Sequence, residues 1–285
     1  MSPNHPAPRR VLLVIPAFNE EARLEQPLRS YVDYARRHPD LQVRFLVVLN
    51  GCRDGTAALV ERISAELPGV DWIEYAAPVG KGGALLAGFR HHAGEEWVGF
   101  ADADGATPAA SLFALLDEPA SDVMVGRRRR STRPLGRRIT SLGFNLVVRT
   151  LLGLRTRDTQ CGAKFFRASL MPLFSEHADT CDMAIDVDLL LVAKSSGASV
   201  AERTVEWADR PGSKVRVIHT STLMFLSVCR LFFLRRLAGF VGRGLSRVSE
   251  AVYVAIYGHS RRLPPGAPDR VSLRSTAKPS SAPAR

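Results

Sequence analysis

Short apolar runs alternate with helix-forming segments along the first part of the chain, and this alternation limits the fold more than any other feature. The apolar runs lie at 10–15, 43–49, 72–75 and 96–101, and segments of helical character lie at 19–37, 56–66 and 80–92. Strands that alternate with helices at this spacing form βαβ units around a parallel sheet. The runs are apolar throughout, as strands covered on both faces must be. The chain is therefore predicted to be an α/β protein with a mostly parallel sheet flanked by helices.

The alternation continues with less regularity to residue 207. Further strands are expected at 122–126, 163–166 and 200–207, and further helices at 139–152 and 186–195. After residue 217, the segments 218–239 and 245–257 have helical spacing and are rich in Leu, Phe and Val with arginines among them. We expect four parts: a disordered N-terminus at 1–9, an α/β domain at 10–217, amphipathic and membrane-interfacial helices at 218–260, and a disordered basic tail at 261–285.

The chain carries a formal net charge of +11 and has an isoelectric point near 10.1. A positive field of this strength indicates an anionic partner, which could be nucleic acid, an acidic membrane surface or a phosphorylated substrate. No recognised nucleic-acid-binding module is present in the sequence, so nucleic acid is not the expected partner. The four cysteines are scattered without a paired motif, which argues against structural zinc and suits the reducing cytosol.

The sequence does not indicate a membrane-spanning helix. The apolar run at 11–15 is too short for the core of a signal peptide. The nearest candidate for a spanning helix, 223–240, is interrupted by Arg230, Arg235 and Arg236. A helix of this kind suits the membrane interface, with its arginines at anionic headgroups. We therefore expect a cytoplasmic protein that binds peripherally to the inner face of a membrane.

Asp102 and Asp104 directly follow the fourth apolar run, and Gly105 turns the chain after them. Residues at i and i+2 point the same way on an extended strand, so the two carboxylates are presented together. In parallel sheets, ligands bind at the carboxyl ends of strands, which is where this pair is predicted to lie. Hard oxygen ligands suit Mg²⁺ or Mn²⁺ with open positions for a phosphate. Without its neighbours, the pair would be interpreted as an exposed acidic turn.

Two basic segments are candidates for binding phosphate. Lys81 lies among glycines at the start of the third predicted helix, where free N–H groups favour an anion, although a plain glycine-rich turn is the alternative. Residues 127–138 contain seven arginines and no acid directly after a predicted strand. Because guanidinium groups match the geometry of phosphate, we expect phosphate binding here rather than only a solvated arm.

A polar turn at 157–162 precedes the strand predicted at 163–166. Asp158 in this turn fits a helix cap or an Asx-turn. Cys161 is a poor candidate for a nucleophile because no histidine lies near it in the sequence. The residue types alone assign no chemistry to this turn.

Taken in order, several segments resemble family 2 glycosyltransferases with the Rossmann-like GT-A fold. Within that family they are most similar to the dolichyl-phosphate (polyprenyl-phosphate) β-glucosyltransferases and their mannose-transferring relatives. The resemblance extends over about residues 11–217, and its most specific strings are D-A-D-G-A-T and D-T-Q-C-G. The matching segments begin at Val14, Gly80, Asp102, Arg157, Asp186 and Gly212.

The resemblance implies an inverting transfer, in which an oxygen of a polyprenyl phosphate attacks the anomeric carbon of a UDP- or GDP-hexose and the nucleoside diphosphate leaves. It implies Mg²⁺ or Mn²⁺ held by Asp104 with the help of Asp102. Lys81 would stabilise the leaving diphosphate, and Asp158 would be a base or an organiser of the site. The remaining residues implied are Pro16, Ala17, Asn19, Glu20 and Asn50 for the nucleotide pocket, and Arg128, Arg133, Arg137 and Lys214 for the acceptor phosphate.

The chain departs from the family pattern after the second strand. Relatives usually have Asp-Asp-Gly-Ser there, whereas this chain has Leu49-Asn50-Gly51-Cys52. The carboxylates that would contact the nucleoside are absent, so the identity of the base stays open.

Two other functions remain compatible with the sequence. A soluble GT-A transferase with a small-molecule or saccharide acceptor would use the same donor site, and its activity would not respond to lipid or detergent. A nucleic-acid-binding protein would also account for the charge, and it would bind duplex DNA with a steep dependence on salt.

Overall fold

The computed structural model describes residues 8–129, 135–178, 180, 182–208, 217–236, 245, 247–248, 251–252 and 268–273. The strands of these residues form a single sheet. They are β1 (Arg9–Ala17), β2 (Leu41–Asn50), β3 (Val70–Tyr75), β4 (Trp97–Ala101), β5 (Val123–Arg128), β6 (Ala163–Arg167), β7 (Val200–Val205) and β8 (Arg270–Ser272). The α-helices are α1 (Glu25–Arg37), α2 (Thr56–Glu66), α3 (Gly80–Phe89), α4 (Ala109–Phe113), α5 (Leu135–Leu152), α6 (Met171–His177), α7 (Ile185–Ser195) and α8 (Val217–Arg236).

The strands lie in the order β7-β5-β6-β4-β1-β2-β3-β8. β1 pairs in parallel with β2 and β4, β2 pairs in parallel with β3, and β5 pairs in parallel with β7. β6 runs antiparallel between β4 and β5, and β8 runs antiparallel along β3. The predicted mostly parallel sheet with flanking helices is thereby confirmed. The reversed direction of β6 does not follow from its sequence, because a short apolar run carries no information about strand direction.

Alternate residues of β1 face two separate apolar layers. Val11, Leu13 and Ile15 pack with residues of α1 and α2 on one face of the sheet. Leu12 and Val14 pack with residues of α3 and α7 on the other face. Because both faces of the strand are buried, helices must cover the sheet on both sides, as the continuous apolar run of β1 predicts. This arrangement leaves the ends of the strands as the accessible edges.

α8 occupies most of the first helical segment expected after residue 217. Its Val228 and Leu231 are buried in the same apolar layer as Val148 of α5, while Phe225 is exposed. Arg230 is buried, which differs from the expectation that the arginines of this segment face lipid headgroups. No helix in the part of the chain that the structure describes is both long and apolar enough to span a bilayer. Placement of residues 218–260 at a membrane interface stays a prediction.

The C-terminal segment 261–285 is expected to be disordered, yet β8 lies within it and extends the sheet beyond β3. Arg270 pairs with Glu74 at 3.0 Å, and its guanidinium group lies 5.0 Å from the ring centre of Trp72. Without β8, β3 would be an edge strand with unpaired backbone groups. The side-chain contacts of Arg270 help to hold the tail along this strand. The basic, proline-rich composition of the segment predicts disorder, so this short strand could not be identified from the sequence. Most of the remaining segment lies outside the described residues.

Candidate active site

Asp102 and Asp104 lie in the loop after β4, at the edge of the sheet where the parallel strands β1, β2 and β4 end. The backbone N–H of Asp102 donates to the carbonyl of Gly162 at 3.1 Å. Asp104 accepts a hydrogen bond from the backbone N–H of Ala106 at 3.0 Å. Gly105 has a φ of +66°, a left-handed conformation that favours glycine. The structure therefore brings the two carboxylates together in a tight turn at a strand's carboxyl end.

Asp104 is half-buried, and its surroundings favour the neutral carboxyl group. Burial raises the pKa of Asp104, and the nearby charge of Asp102 raises it further. A divalent cation between the two carboxylates would replace their repulsion with attraction, so the pair fits Mg²⁺ or Mn²⁺. Within the described residues, no group of three His, Cys, Asp or Glu side chains is arranged as a metal site. Water and phosphate oxygens would be suitable further ligands of such a cation.

Lys81, in the first turn of α3, bridges two carboxylates. Its Nζ lies 2.9 Å from Oδ1 of Asp102 and 3.1 Å from Oδ2 of Asp186. Burial would lower the pKa of the Lys81 ammonium group, but the charges of Asp102 and Asp186 outweigh burial and raise it. Lys81 therefore keeps its positive charge beside the Asp102 carboxylate, where it could meet an anionic diphosphate.

Two charged residues, to which the sequence alone assigns no chemistry, lie behind Lys81. Asp186, at the start of α7, forms an ion pair with Lys164 of β6, and Lys164 also donates to the carbonyl of Cys161 at 2.7 Å. Both charged side chains are buried. Burial would raise the pKa of the Asp186 carboxyl, but Lys164 and Lys81 lower it. The available signals were a single lysine in the apolar run at 163–166 and the family-like segment that begins at Asp186.

Gly162 holds the polar turn before β6 closely against Asp102. A Cβ atom at position 162 would lie 1.8 Å from Oδ2 of Asp102. Only glycine permits this approach between a backbone and a side chain. The glycine of the D-T-Q-C-G string therefore keeps space for one of the two candidate metal ligands.

Arg128, the last residue of β5, is held by Asp158 through a bidentate ion pair. The Nε and Nη2 atoms of Arg128 lie 2.7 and 2.6 Å from the two carboxylate oxygens, and the Arg128 backbone N–H also donates to Asp158 at 3.1 Å. Burial would raise the pKa of the Asp158 carboxyl, but the hydrogen bonds and charge of Arg128 lower it. A carboxylate that is bound on both oxygens and has a lowered pKa is a poor base. The geometry therefore favours Asp158 as an organiser of the site.

A cleft of about 1420 Å³ reaches Asp104 from the loops after β1 and β2. Asn19 and Glu20, both predicted for the nucleotide pocket, lie in its wall. Asn19 has a φ of +56° and accepts a hydrogen bond from the backbone N–H of Arg53 at 2.7 Å. Glu20 pairs with Arg23 at 2.6 Å. The loop after β1 thus forms part of the wall of the cleft that reaches Asp104.

Three other residues predicted for the nucleotide pocket, Pro16, Ala17 and Asn50, do not line this cleft. Pro16 and Ala17 are the last two residues of β1, and Ala17 is buried. Asn50 is also buried, and its Oδ1 accepts a hydrogen bond from the backbone N–H of Val79 at 2.6 Å. The backbone N–H groups at a helix start need such an acceptor. Asn50 therefore supports the start of α3, and its effect on Lys81 is indirect.

The residues predicted to meet the acceptor phosphate are only partly described. Arg128 has a described side chain, whereas Arg133 and Lys214 lie outside the described residues, and only the backbone of Arg137 is described, in α5. Cys161 is buried, and burial raises the pKa of its thiol to about 12. A thiol in that state is inert, in agreement with the expectation that Cys161 is not a nucleophile.

The family model for glycosyl transferase family 2 matches residues 12–176, which include the paired carboxylates, Lys81 and the Arg128–Asp158 pair. The chain belongs to glycosyl transferase family 2. It is a glycosyltransferase, and the family predicted from its motifs is confirmed.

Relatives of this glycosyltransferase match it over most of its length. A dolichyl-phosphate beta-glucosyltransferase of Trichomonas vaginalis is 30% identical over 228 residues, which cover 74% of this chain and 70% of the relative. The dolichyl-phosphate beta-glucosyltransferase of Drosophila melanogaster is 31% identical over 225 residues, which cover 71% of this chain and 68% of the relative. That of Saccharomyces cerevisiae is 27% identical over 239 residues, which cover 74% and 71%.

Solved structures share the fold of this glycosyltransferase at low sequence identity. Glucosyl-3-phosphoglycerate synthase from Mycobacterium tuberculosis, in complex with UDP, aligns with a TM-score of 0.58 at 18% identity over 79% of this chain and 80% of that chain. The same synthase with Mn²⁺, UDP and glucosyl-3-phosphoglycerate aligns with a TM-score of 0.56 at 20% identity over 78% and 80%. Mannosyl-3-phosphoglycerate synthase from Rubrobacter xylanophilus aligns with a TM-score of 0.61 at 18% identity over 91% and 79%. These similarities confirm the GT-A fold.

Gly162→Ala should weaken Mn²⁺ binding about tenfold or more, because the added methyl group would displace the Asp102 carboxylate and disturbed ligand support typically costs that much. Gly143→Ala in α5 is the matched control, since nothing lies within 4 Å of a Cβ atom there. Electron paramagnetic resonance of free Mn²⁺ measures the affinity, and circular dichroism checks that each variant is folded. A folded Gly162→Ala protein with wild-type affinity would show that the close approach does not hold Asp102.

Proposed function

We propose that this glycosyltransferase transfers a hexose, glucose foremost, from a UDP- or GDP-hexose to a polyprenyl or dolichyl phosphate, with inversion at the anomeric carbon. The observation that carries the proposal is the fixed guanidinium group of Arg128 at the same edge of the sheet as Asp102 and Asp104. An immobilised guanidinium group suits an anionic phosphate. The names of the relatives, dolichyl-phosphate beta-glucosyltransferases at 27–31% identity, support the same acceptor and the same sugar.

The donor side of the proposed site consists of Asp102, Asp104 and Lys81. Mg²⁺ or Mn²⁺ held by the two carboxylates would supply Lewis-acid stabilisation of the charge that develops on the leaving diphosphate. Lys81 adds a positive charge beside the same carboxylates, since its pKa is raised by Asp102 and Asp186 in spite of burial. Asn19 and Glu20 would contact the nucleoside from the wall of the cleft.

The acceptor side needs alignment more than proton removal. A phosphate group carries negative charge at neutral pH, so its oxygen can attack without a strong base. Holding that oxygen in line with the anomeric carbon lowers the entropic part of the barrier. Asp158 contributes by fixing Arg128, and Arg133, Arg137 and Lys214 are proposed as further cations for the acceptor phosphate.

We further propose that the protein binds peripherally to the anionic cytoplasmic face of a membrane, where a lipid acceptor would lie. Leu146 of α5 and Phe225 of α8 are exposed apolar side chains on two helices that pack together. Apolar side chains combined with a net charge of +11 suit an anionic interface. A soluble acceptor is the alternative, and the names of the relatives do not favour it.

Sugar transfer is tested by incubating the full-length protein with Mn²⁺, a panel of radiolabelled UDP- and GDP-hexoses and a polyprenyl phosphate, followed by lipid extraction. Label from one donor, UDP- or GDP-glucose foremost, is expected in the organic phase. Asp104→Asn should reduce this transfer by about a hundredfold or more, because it removes a metal-ligand charge. Label that enters only water-soluble products would contradict the lipid acceptor and favour the soluble one.

Arg128→Lys should raise the acceptor KM and lower kcat/KM by roughly tenfold to a hundredfold, because lysine keeps the charge but loses the bidentate pair with Asp158. Arg127→Lys is the matched control. Arg127 is adjacent in β5 and points to the opposite face of the strand, and its guanidinium group donates to Thr204 at 2.8 Å. UDP affinity should stay unchanged in both variants. Equal acceptor kinetics of the two variants would argue against the proposed role of Arg128.

Membrane attachment is measured by flotation of the full-length protein with liposomes. The protein should float with anionic vesicles at low salt and only weakly with neutral vesicles. Added salt should weaken the attachment without abolishing it, because salt screens the charges but leaves apolar burial in place. Protein that stays at the bottom of the gradient with both kinds of vesicle would exclude the proposed attachment.

A further inference from the structure

Four side chains of alternating charge lead from the core to the donor site: Lys164, Asp186, Lys81 and Asp102. Lys164 contacts Asp186, Asp186 lies 3.1 Å from the Nζ of Lys81, and that Nζ lies 2.9 Å from Asp102. In this order the side chains are 0%, 3%, 11% and 40% exposed. The row is therefore anchored in the core and open to a ligand at Asp102.

Four separate elements of the fold hold this charged row. Lys164 belongs to β6, Asp186 to α7, Lys81 to α3 and Asp102 to the loop after β4. The Nζ atoms of the two lysines each lie 5.3 Å from the ring centre of Phe100, which is buried beneath them. Cation–π contacts of this kind stabilise both ammonium groups at the same place. The positions of the charges therefore follow from the packing of the whole domain.

Stability alone is a weak reason to bury such a row. Removing charges from water costs several kcal/mol per ion, and apolar side chains of similar size often stabilise a core as well or better. The row ends at Asp102, which is one of the two carboxylates that fit a divalent cation. Its buried charges are therefore close enough to influence what binds there.

We propose that Asp186 and Lys164 are positioning residues of the donor site, which hold the ammonium group of Lys81 on the Asp102 carboxylate until a divalent cation takes its place. This inference rests on the nucleotide-sugar donor site proposed above and assigns two further residues to it. Asp186 draws Lys81 towards the core, and Lys164 limits that attraction because it shares the same carboxylate. The balance between them determines how readily Asp102 becomes available to a cation.

The two residues should affect cation binding in opposite directions. Without the Lys164 charge, Asp186 attracts Lys81 more strongly, and the row has one positive charge fewer. Without the Asp186 charge, Lys81 lies on Asp102 alone, and the row has one negative charge fewer. Charge interactions over such distances in a protein are strong enough to change the affinity for a divalent cation by about tenfold.

The test is a titration of the nucleotide-free, full-length protein with Mn²⁺, followed by electron paramagnetic resonance of the free ion. Lys164→Met should bind Mn²⁺ about tenfold more tightly than wild type, and Asp186→Asn about tenfold more weakly. The double variant, in which the net charge of the row is restored, should return close to the wild-type affinity. Lys194→Met is the matched control, because Lys194 lies in the last turn of α7 and donates to the carbonyl of Gly153 at 2.6 Å.

If the charged row had only a structural role, the Mn²⁺ affinities of the variants would follow a different pattern. Both single variants would then bind Mn²⁺ more weakly and the double variant most weakly of all, and this outcome would overturn the proposal. Thermal unfolding checks that each variant is folded. If the variants at the buried positions do not fold, Lys81→Met tests the proposal at a more exposed side chain. This variant should bind Mn²⁺ more tightly than wild type. Unchanged or weaker binding would overturn the proposal.

The proposed positioning role and the proposed acceptor fail in different ways. Wild-type protein that binds no Mn²⁺, with or without UDP, would overturn the positioning role. Failure to label a polyprenyl phosphate, in protein whose Mn²⁺ affinities follow the expected pattern, would reject the acceptor and leave the positioning role in place.

Discussion

The antiparallel course of β6 between β4 and β5 is the constraint on which the rest of the site depends. β4 and β5 end at the same edge of the sheet, and β6 begins there because it runs in the opposite direction. The turn that precedes β6 therefore reaches both neighbouring strand ends. Asp158 in this turn contacts Arg128 at the end of β5, and Gly162 lies against Asp102 after β4. A single strand thus links the candidate metal ligands to the cation proposed for the acceptor.

Three carboxylates near this edge show how a partner, more than burial, determines the state of a charge. Burial alone would raise the pKa of all three. Contacts with Arg128 lower the pKa of Asp158. Contacts with Lys164 and Lys81 lower the pKa of Asp186. The pKa of Asp104 is instead raised, because burial acts together with the negative charge of Asp102. The two paired carboxylates are already satisfied by protein cations. Asp104 is where a further positive charge would be most favourable.

The parts of this protein that could be predicted are those with a strong local pattern. The helix predicted at 56–66 has the bounds of α2, and each early apolar run overlaps an observed strand. The pairing of β8 could not be predicted, since Arg270 contacts a residue 196 positions earlier in the chain. The same limit applies to the site. Asp102 and Asp104 belong to a local motif that indicates a metal site. The role of Lys164 and Asp186 depends on their ion pair between β6 and α7, which the sequence does not show. The family resemblance places Asn50 in the nucleotide pocket, but the sequence cannot show that its amide oxygen accepts a hydrogen bond from the backbone before α3.

The state of Asp158 also bears on the kind of acceptor that this site can activate. The hydroxyl group of a saccharide or small molecule loses a proton as it attacks, which requires a base with a pKa near the working pH. Burial would raise the pKa of Asp158, but Arg128 lowers it, and both carboxylate oxygens already accept hydrogen bonds. The neighbouring Cys161 is buried, with a thiol pKa of about 12. Neither of these two described side chains is suited to take that proton. An ionised phosphate oxygen has no proton to lose, so the contacts that weaken Asp158 as a base are those that would prepare Arg128 for the proposed anionic acceptor.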